Sequence, residues 1–327
     1  MKLSNPMACL LLALFAARFA PASTARAQQL AQVNAALQAG EADAARAGLR
    51  TLPQGGADNA EAQNLACRVH YTLRQWDQAV SACQKAVQLD NGNARYHMWL
   101  GRALGEKASH VNFMSAYSLG KQTRAEFETA ARLNPRDADA LADLGDFYQQ
   151  APGIIGGGTD KAEQVARQLD SLDAARAHQL RARIAEGHND FTTAEREFKA
   201  AIASSAHPAL HWTTLASFFR RRQRWQDLEA AVYSSYTAAS RDKHATIALY
   251  DGAGVLIESK RDPAMAAKML ETYIGSDSRN EEGPAFEAHL RLAKLKNYLG
   301  DHTAAQRERA AALALAHDYR PALDARF

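Results

Sequence analysis

The stretch Ala79-Val-Ser-Ala-Cys-Gln-Lys-Ala86 carries small residues at its first, fifth and eighth positions. A step of 34 residues toward the N-terminus from its first residue reaches Ala45, and the same step separates Phe191 from Trp225. A fixed period of this length is typical of stacked helix-turn-helix units, none of which buries its apolar face without a neighbour. The sequence therefore predicts a repeat protein, a class that usually presents a binding surface rather than an active-site pocket.

The repeated unit resembles the tetratricopeptide repeat, in which small residues let antiparallel helices approach closely and large residues fill the space beside them. The first helix of that repeat carries bulky, leucine and small positions, and the second carries small, bulky and small positions. Matches to the first helix are Leu100, Gly101, Leu104, Leu144, Gly145, Tyr148, Trp212, Leu215, Ala216 and Phe219. Matches to the second helix are Ala79, Cys83, Ala86, Phe127, Ala130, Pro135, Ala194, Phe198 and Ala201.

The resemblance implies an all-α fold, a right-handed superhelical solenoid of about eight helix-turn-helix repeats. One solenoid is expected to occupy residues 28–327, with units that begin near residues 26, 60, 94, 138, 175, 209, 243 and 286. The last unit matches the repeat least well. We expect it to be a terminal cap that faces water, because an end of a solenoid has no further neighbour.

Two units are longer than the repeat and contain insertions near residues 105–120 and 151–158. Insertions in solenoids usually form loops on one face, often the binding face. Ile154 and Ile155 are therefore predicted loop contacts, since apolar side chains on an exposed loop can meet a partner. The arrangement resembles exported bacterial repeat proteins with an APG…GGG loop and, more loosely, the regulator of microtubule dynamics family. Neither resemblance implies a catalytic residue.

The N-terminal residues 1–27 read as a cleaved signal peptide. Lys2 supplies the positive start, residues 7–17 are apolar, and Ala25-Arg26-Ala27 has the small-x-small pattern of a cleavage site. Arg18 ends the apolar run before it is long enough to span a bilayer, and no other stretch is long and apolar enough. The sequence predicts export after cleavage near Ala27, to the periplasm or outside the cell, without a transmembrane segment.

The charge of the chain argues against nucleic acid as a partner. The full sequence has 39 basic and 36 acidic residues, but Lys2, Arg18 and Arg26 belong to the predicted signal peptide, which has no acidic residue. The remainder therefore carries 36 residues of each sign. Phosphate binders need a clear basic excess or stripe, so nucleic-acid binding is not expected.

Two of the three cysteines, Cys67 and Cys83, lie outside the predicted signal peptide. They occupy facing positions on the two helices of one unit, where Cα atoms within about 7 Å would allow a disulfide in an exported protein. Two buried thiols that fill small-residue positions remain the alternative.

First-helix residues outside the packing positions line the inner groove in this repeat family. The predicted partner-binding groove consists of Asn64, Arg68, Tyr71, Arg95, Met98, Arg102, Asp146, Gln149, Arg183, Thr213, Arg220 and Lys294. Arg68, Arg102, Arg183 and Lys294 share one position of the repeat and could form a ladder suited to carboxylates of an acidic peptide. The alternative is that acidic residues at the same position, such as Asp146, interrupt the ladder.

The sequence offers no convincing catalytic, cofactor or metal site. His207 and His211 are four residues apart but lack the further ligands of a zinc site. The run from Gly156 to Lys161 lacks the preceding strand and the lysine directly before serine or threonine that a phosphate loop needs, and no nucleophile elbow is present. We expect a non-catalytic scaffold that binds a protein or peptide through the groove and inserted loops. A small-ligand or lipid-binding module, and an enzyme with its site at those loops, are the alternatives.

Overall fold

The structure is a computed structural model that describes residues 22–52 and 59–327. These residues form α-helices joined by short connections, and none of them lies in a β-strand. The helices are α1 (Ala22–Gln38), α2 (Ala42–Arg50), α3 (Ala60–Thr72), α4 (Trp76–Leu89), α5 (Ala94–Ala108), α6 (Phe113–Leu133), α7 (Ala138–Gln150), α8 (Thr159–Leu169), α9 (Ala174–Gly187), α10 (Phe191–Ser204), α11 (Ala209–Arg221), α12 (Trp225–Ala239), α13 (Ile247–Ser259), α14 (Pro263–Ile274), α15 (Ala285–Tyr298), α16 (His302–Leu315) and α17 (Arg320–Leu323).

Helices α1 to α16 pair in chain order into eight hairpins, and the short α17 follows the last hairpin. The predicted solenoid of about eight repeats is therefore confirmed. Many of the helices begin at an Asn or Asp whose side chain accepts a backbone N–H, which stabilises the first turn. These N-cap residues are Asn59, Asn93, Asn112, Asp137, Asp173, Asp190, Asp262 and Asp301.

Glycines in the first helices allow the close packing that the sequence predicts. A Cβ at Gly101 would lie 2.5 Å from the ring of Phe127, and a Cβ at Gly145 would lie 2.4 Å from Leu180. Both distances are shorter than real Cβ contacts. Larger residues at these positions would push neighbouring helices apart, because protein interiors are packed at crystal density.

The insertion at residues 105–120 is helical, so the expectation of a loop there was wrong. Helix α5 continues to Ala108, and α6 begins at Phe113 after a connection of four residues, 109–112. Asn112 starts α6 by accepting the backbone N–H of Ser115 at 3.1 Å. The second insertion contains a 3₁₀ turn at Gly153–Ile155. Ile155 packs on Gly120 of α6, where a Cβ would lie 2.9 Å from its side chain.

The last unit packs against the beginning of the chain, so the expectation of a water-facing cap was also wrong. One apolar cluster contains Leu37 of α1, Leu65 of α3, Phe286 of α15 and Tyr319 beside α17, all nearly inaccessible to solvent. Gly40 approaches the backbone of Ala285 so closely that no Cβ would fit. The eight units thus complete one turn and close on themselves, because both ends carry apolar surface that a cap would have left in water.

The first part of the predicted signal peptide, residues 1–21, lies outside the described residues. The predicted cleavage site lies within α1, and the core residues Val33 and Leu37 follow it in the chain. Among the described helices, none has the length and apolar composition needed to cross a membrane.

The sulfur atoms of Cys67 and Cys83 form a disulfide that joins α3 to α4, with Cα atoms 5.1 Å apart. Both residues are fully buried, in a cluster with Trp99 and Leu100. The bond therefore fixes the second hairpin at the point where the third hairpin packs on it.

Replacing both Cys67 and Cys83 with alanine should lower the free energy of unfolding by about 3 kcal/mol. The bond closes a short loop, with 16 residues of sequence separation, and so restricts the unfolded chain. Urea unfolding of the wild type with and without a reducing agent, beside the double variant, measures this. A reductant that leaves the wild type unchanged would contradict the prediction.

Candidate binding site

The connection between α14 and α15, residues 275–284, lies on the inner side of the closed turn, and we call it the inner loop. The Tyr273 hydroxyl donates to the carbonyl of Gly283 at 2.7 Å, and the Thr246 hydroxyl donates to the carbonyl of Ser278. Arg279 donates to the carbonyl of Ile274 at 2.6 Å and to that of Ala39 at 3.3 Å. The loop is thus anchored to both ends of the array.

Glu281 of the inner loop binds Arg68, the first arginine of the predicted ladder. Arg68 Nη2 and Nε donate to the two carboxylate oxygens at 2.6 and 2.9 Å, and Nη2 also reaches Asn34 of α1 at 3.0 Å. The Arg68 side chain is only 5% exposed. The carboxylate that occupies this position of the ladder therefore comes from the chain itself.

The other ladder arginines are also neutralised by carboxylates of neighbouring units. Arg102 binds Asp143 at 2.6 Å, and Arg183 binds Asp146. The predicted groove arginines outside the ladder are paired in the same way, Arg220 with Glu258 at 2.5 Å and Arg95 with Glu61. The structure therefore does not present an open row of arginines, because carboxylates of this chain, among them Asp146, bind Arg68, Arg102 and Arg183.

The remaining predicted groove residues are dispersed. Asn64 and Met98 are buried, and the Gln149 side chain donates to the carbonyl of Arg183 at 3.3 Å. Thr213 lines a cavity with Arg183 and Arg220, whereas Lys294 lines a different cavity at the closure between the chain ends. These positions do not converge on one ligand site.

Five predicted residues do meet in one cavity, of about 520 Å³, between the third and fourth units. They come from both predicted regions, the groove and the second inserted segment. These residues are Tyr71, Arg102, Asp146, Ile154 and Ile155. Aromatic rings of α6 and α7, Phe127 and Phe147, lie against each other at 6.4 Å between centroids and form part of the wall.

Three exposed apolar side chains, Phe113, Tyr117 and Ile154, line this cavity, and exposed Val111 and Met114 are close to Phe113 in the sequence. We call these five residues the insertion face. Phe113 and Met114 are each 73% exposed and Ile154 is 66% exposed. Among the described residues, five of the twelve exposed large apolar side chains belong to this face. Such clustering is typical of interaction sites, since scattered apolar residues are the norm on a protein surface.

Two of the three carboxylates that line this cavity, Asp143 and Asp146, are paired with arginines. Burial raises the pKa of the Asp143 carboxyl, an effect that the neighbouring Arg102 opposes through its charge and hydrogen bond. The centroid of the Trp99 ring lies 4.9 Å from the Arg102 guanidinium and forms a cation–π contact with it. Burial also raises the pKa of the Tyr71 hydroxyl well above its usual range. The cavity therefore combines apolar walls with one carboxylate, that of Glu106, which forms no ion pair in the described part of the chain.

Two further cavities lie within the turn, and both are lined by Glu282 of the inner loop. One of them, of about 530 Å³, also contains Asp251 of α13 and Arg291 of α15. Burial and the charge of Glu282 raise the pKa of Asp251 to about 7, against the opposing effect of Arg291. The centre of the turn is thus a polar interior with one carboxyl that titrates near neutral pH.

One group of residues in the described part of the chain has the composition of a metal site: Asp43, His317 and Asp318. Their side chains already bind one another or Arg46, with His317 to Asp43 at 2.8 Å and Arg46 to Asp318 at 2.7 Å. They connect α2 to the C-terminal segment and so belong to the closure. His207 and His211 do not come together, because His207 binds Asp242 and His211 binds Gln179.

Sequence reasoning missed Phe113, Met114 and Tyr117, because the first insertion was expected to be an irregular loop. Asn112 before an apolar pair is an N-cap signal that could have revealed the helix. The inner loop was missed as well. Two acidic residues, Glu281 and Glu282, lie in the longest connection of the C-terminal half. This feature of the sequence could have indicated a loop that binds the groove arginines.

Comparisons with known proteins agree with this architecture. No protein-family model matches the chain. Superkiller complex protein 3 of Mus musculus is 29% identical over 126 residues, which cover 36% of this chain and 7% of that protein. The chain therefore corresponds to a small part of that relative's length.

Two solved structures are similar to this one. TTC0263, a thermophilic tetratricopeptide-repeat protein in Thermus thermophilus, superposes with a TM-score of 0.50 at 18% identity, over 59% of this chain and 98% of that chain. MamA superposes with a TM-score of 0.42 at 22% identity, over 56% of this chain and 92% of that chain. The chain has the tetratricopeptide-repeat fold.

Replacing Arg68 with alanine should lower the free energy of unfolding by about 3–5 kcal/mol, since Glu281 would remain buried without its cationic partner and with only the Gln38 amide as a hydrogen-bond donor. Arg95→Ala is the matched control, because it also removes a groove arginine from a glutamate but at a pair exposed to solvent. That control should change stability by less than about 1 kcal/mol. Guanidinium unfolding of the three proteins measures both effects, and equal losses would contradict the role of Arg68.

Replacing Asp251 with asparagine should raise the free energy of unfolding at pH 7.5 by about 1–2 kcal/mol. The pKa of Asp251 is about 7 in the folded protein, whereas the ordinary pKa of an aspartate is 3.8, so the folded protein keeps this proton up to about pH 7. The free energy of unfolding of the wild type should therefore fall as pH rises from 4 to 7, because the buried carboxyl must ionise. The variant lacks this carboxyl and should not show the fall. Asp277→Asn, an exposed carboxylate of the inner loop, is the control. Urea unfolding across this pH range would refute the assignment if Asp251→Asn kept the wild-type slope.

Proposed function

We propose that the protein is a non-catalytic scaffold that binds an amphipathic helix of a partner protein at the insertion face. The observation that carries this proposal is the concentration of exposed apolar side chains in the two inserted segments, beside a cavity of about 520 Å³. Binding of an apolar helix face in a groove is a recurrent mode of peptide recognition.

The geometry of the insertion face suits a helix. Phe113 and Tyr117 are one turn apart on α6 and line the cavity from one side. Ile154 of the 3₁₀ turn lines it from the other side. An apolar anchor of the partner would enter between them and reach Phe127 and Phe147. Anchors in such desolvated pockets carry most of the binding energy of an interface.

The charge beside Tyr117 favours an acidic residue on the partner helix. Lys121 is exposed, forms no ion pair in the described part of the chain and has its Nζ 5.2 Å from the ring of Tyr117. An aspartate or glutamate one turn from the apolar anchor would lie near this amine. Such a rim contact would raise the rate of association more than the affinity.

Binding rather than catalysis is supported by the state of the carboxylates at the cavity. Asp143 and Asp146, two of the three carboxylates that line the cavity, are each bound to an arginine, so neither is available as a general base. We also propose that the protein is exported after cleavage near Ala27. The buried Cys67–Cys83 disulfide suits an oxidising compartment, and residues removed by cleavage precede the core positions of α1.

A small apolar ligand is the second candidate for the same cavity. Its volume lies in the range of ligand pockets, and Phe113, Tyr117, Phe127 and Phe147 supply aromatic walls. In this case the purified protein would retain an extractable apolar molecule, and capture of a protein partner would not depend on Phe113.

Replacing Phe113 and Ile154 together with aspartate should lower partner capture at least about tenfold, because an apolar anchor would meet two charges. A photo-crosslinking residue at position 114 captures the partner in cells, and mass spectrometry identifies the crosslinked peptide. The expected peptide is helical, with apolar residues at three- and four-residue spacing.

The matched control is Leu89→Asp with Leu299→Asp, which alters two other exposed apolar residues away from the insertion face. It should leave capture from position 114 unchanged. Circular dichroism checks that all variants keep the helical content of the wild type. Capture that survives in the folded Phe113 and Ile154 variant, or that falls equally in the control, would refute the insertion face as the binding site.

A further inference from the structure

A cavity of about 640 Å³ lies at the closure of the turn, between the ends of α13 and α15 and the beginning of α14. Tyr319 and Pro321 cover it from the C-terminal segment, and Arg74 closes it from the turn between α3 and α4. It shares no lining residue with the cavity at the insertion face. Its lining combines the last two units with Arg74 of the second unit, which closure of the turn brings to it.

A network of polar side chains centred on Glu287 lies at the inner end of the cavity. Glu287 is only 8% exposed. Its carboxylate accepts from Arg74 Nη2 at 2.7 Å, from Arg291 Nη2 at 3.0 Å and from the Tyr319 hydroxyl at 3.3 Å. Burial alone would raise the pKa of Glu287, but Arg291 and Arg74 hold it below its ordinary value. One carboxylate thus faces two guanidinium groups, which leaves a net positive charge.

The rim of the cavity adds further positive charge. Lys260 and Lys294 are exposed there, and in the described residues neither forms an ion pair. The other charged residues of the rim, Arg261 and Glu258, form ion pairs with residues outside the cavity. Arg261 binds Glu229 at 2.7 Å, and Glu258 binds Arg220 at 2.5 Å. The two lysines are therefore the cations available to a ligand.

The walls of the cavity are apolar. Leu256, Leu290 and Leu295 are buried side chains that form its inner surface. Half-buried Ile257 and the exposed ring of Tyr298 continue this surface toward the lysines. Cations at helix ends are common because they complement the macrodipole. That effect accounts for the charges but not for an apolar chamber behind them.

We propose that this cavity binds a small amphipathic carboxylate, with its acyl chain against the leucine wall and its carboxylate at Lys260 and Lys294. The volume lies within the range of small-molecule sites, and a few convergent polar groups over an apolar pocket are their usual composition. Ammonium groups at the rim attract a carboxylate. Each methylene of the apolar chain that leaves water makes the free energy of binding more favourable. The inference does not depend on partner binding at the insertion face.

Titration calorimetry with octanoate, decanoate and dodecanoate, below the concentrations at which they aggregate, tests the proposal. Affinity should rise about fourfold for each methylene added, until the chain fills the cavity. Decanol and decyltrimethylammonium should bind at least about tenfold more weakly than decanoate, because they lack the negative head group. Affinity that does not depend on chain length would overturn the proposal, as would equal binding of the three head groups.

Two exposed substitutions locate the site. Lys260→Glu with Lys294→Glu should weaken decanoate binding about tenfold or more, because both cations become anions. Lys85→Glu with Lys243→Glu changes the net charge equally at two exposed lysines outside the cavity, and should leave binding unchanged. Equal weakening in both pairs would reveal nonspecific ion exchange, and retained binding in the first pair would place the carboxylate elsewhere. Either result overturns the proposal.

Discussion

The buried ion pair between Arg68 and Glu281 is the constraint on which the architecture depends. It joins the second unit to the inner loop before the last unit, across 213 residues of sequence. A charge this deeply buried is tolerated only when its partner and hydrogen bonds are in place. Arg68 Nη1 and the side-chain amide of fully buried Asn64, one turn away on α3, have no hydrogen-bond partner, which adds a cost that the closed arrangement must outweigh. Burial of the apolar cluster around Leu65 and Phe286 supplies the free energy that favours the closed arrangement.

Closure changes where this solenoid can bind. An open array of helical hairpins presents its first helices to a ligand along the concave side. Here the inner loop lies on that side and brings Glu281 and Glu282 to it, while carboxylates of adjacent units neutralise the other arginines. Apolar surface is left instead at the insertion face, on the longest helix of the described chain, and in the cavity beside α17. Both locations depart from the regular repeat, one by insertion and the other by the meeting of the chain ends.

Particular residues show how far sequence reasoning reached. The positions of Gly101 and Gly145 predicted close helix contacts, which the structure shows against Phe127 and Leu180. Tyr71, Arg102, Asp146, Ile154 and Ile155 were named from two separate arguments and line one cavity. Arg68 was assigned to an open groove because a repeat frame fixes only the direction of a side chain. It does not reveal a carboxylate that arrives from a distant loop.

The sequence by itself determined the helical hairpins, their number and the small residues at their contacts. These features arise from neighbours within one or two repeats, and a 34-residue period records such local packing directly. Only the tertiary structure decided that the array closes, that the ladder arginines are occupied and that a cavity forms at the closure. Each of these depends on the small rotation between successive units, which accumulates over eight hairpins. The sequence of a single repeat does not determine this accumulated rotation. Contacts between distant units, such as that of Arg74 with Glu287, are therefore seen only in the folded chain.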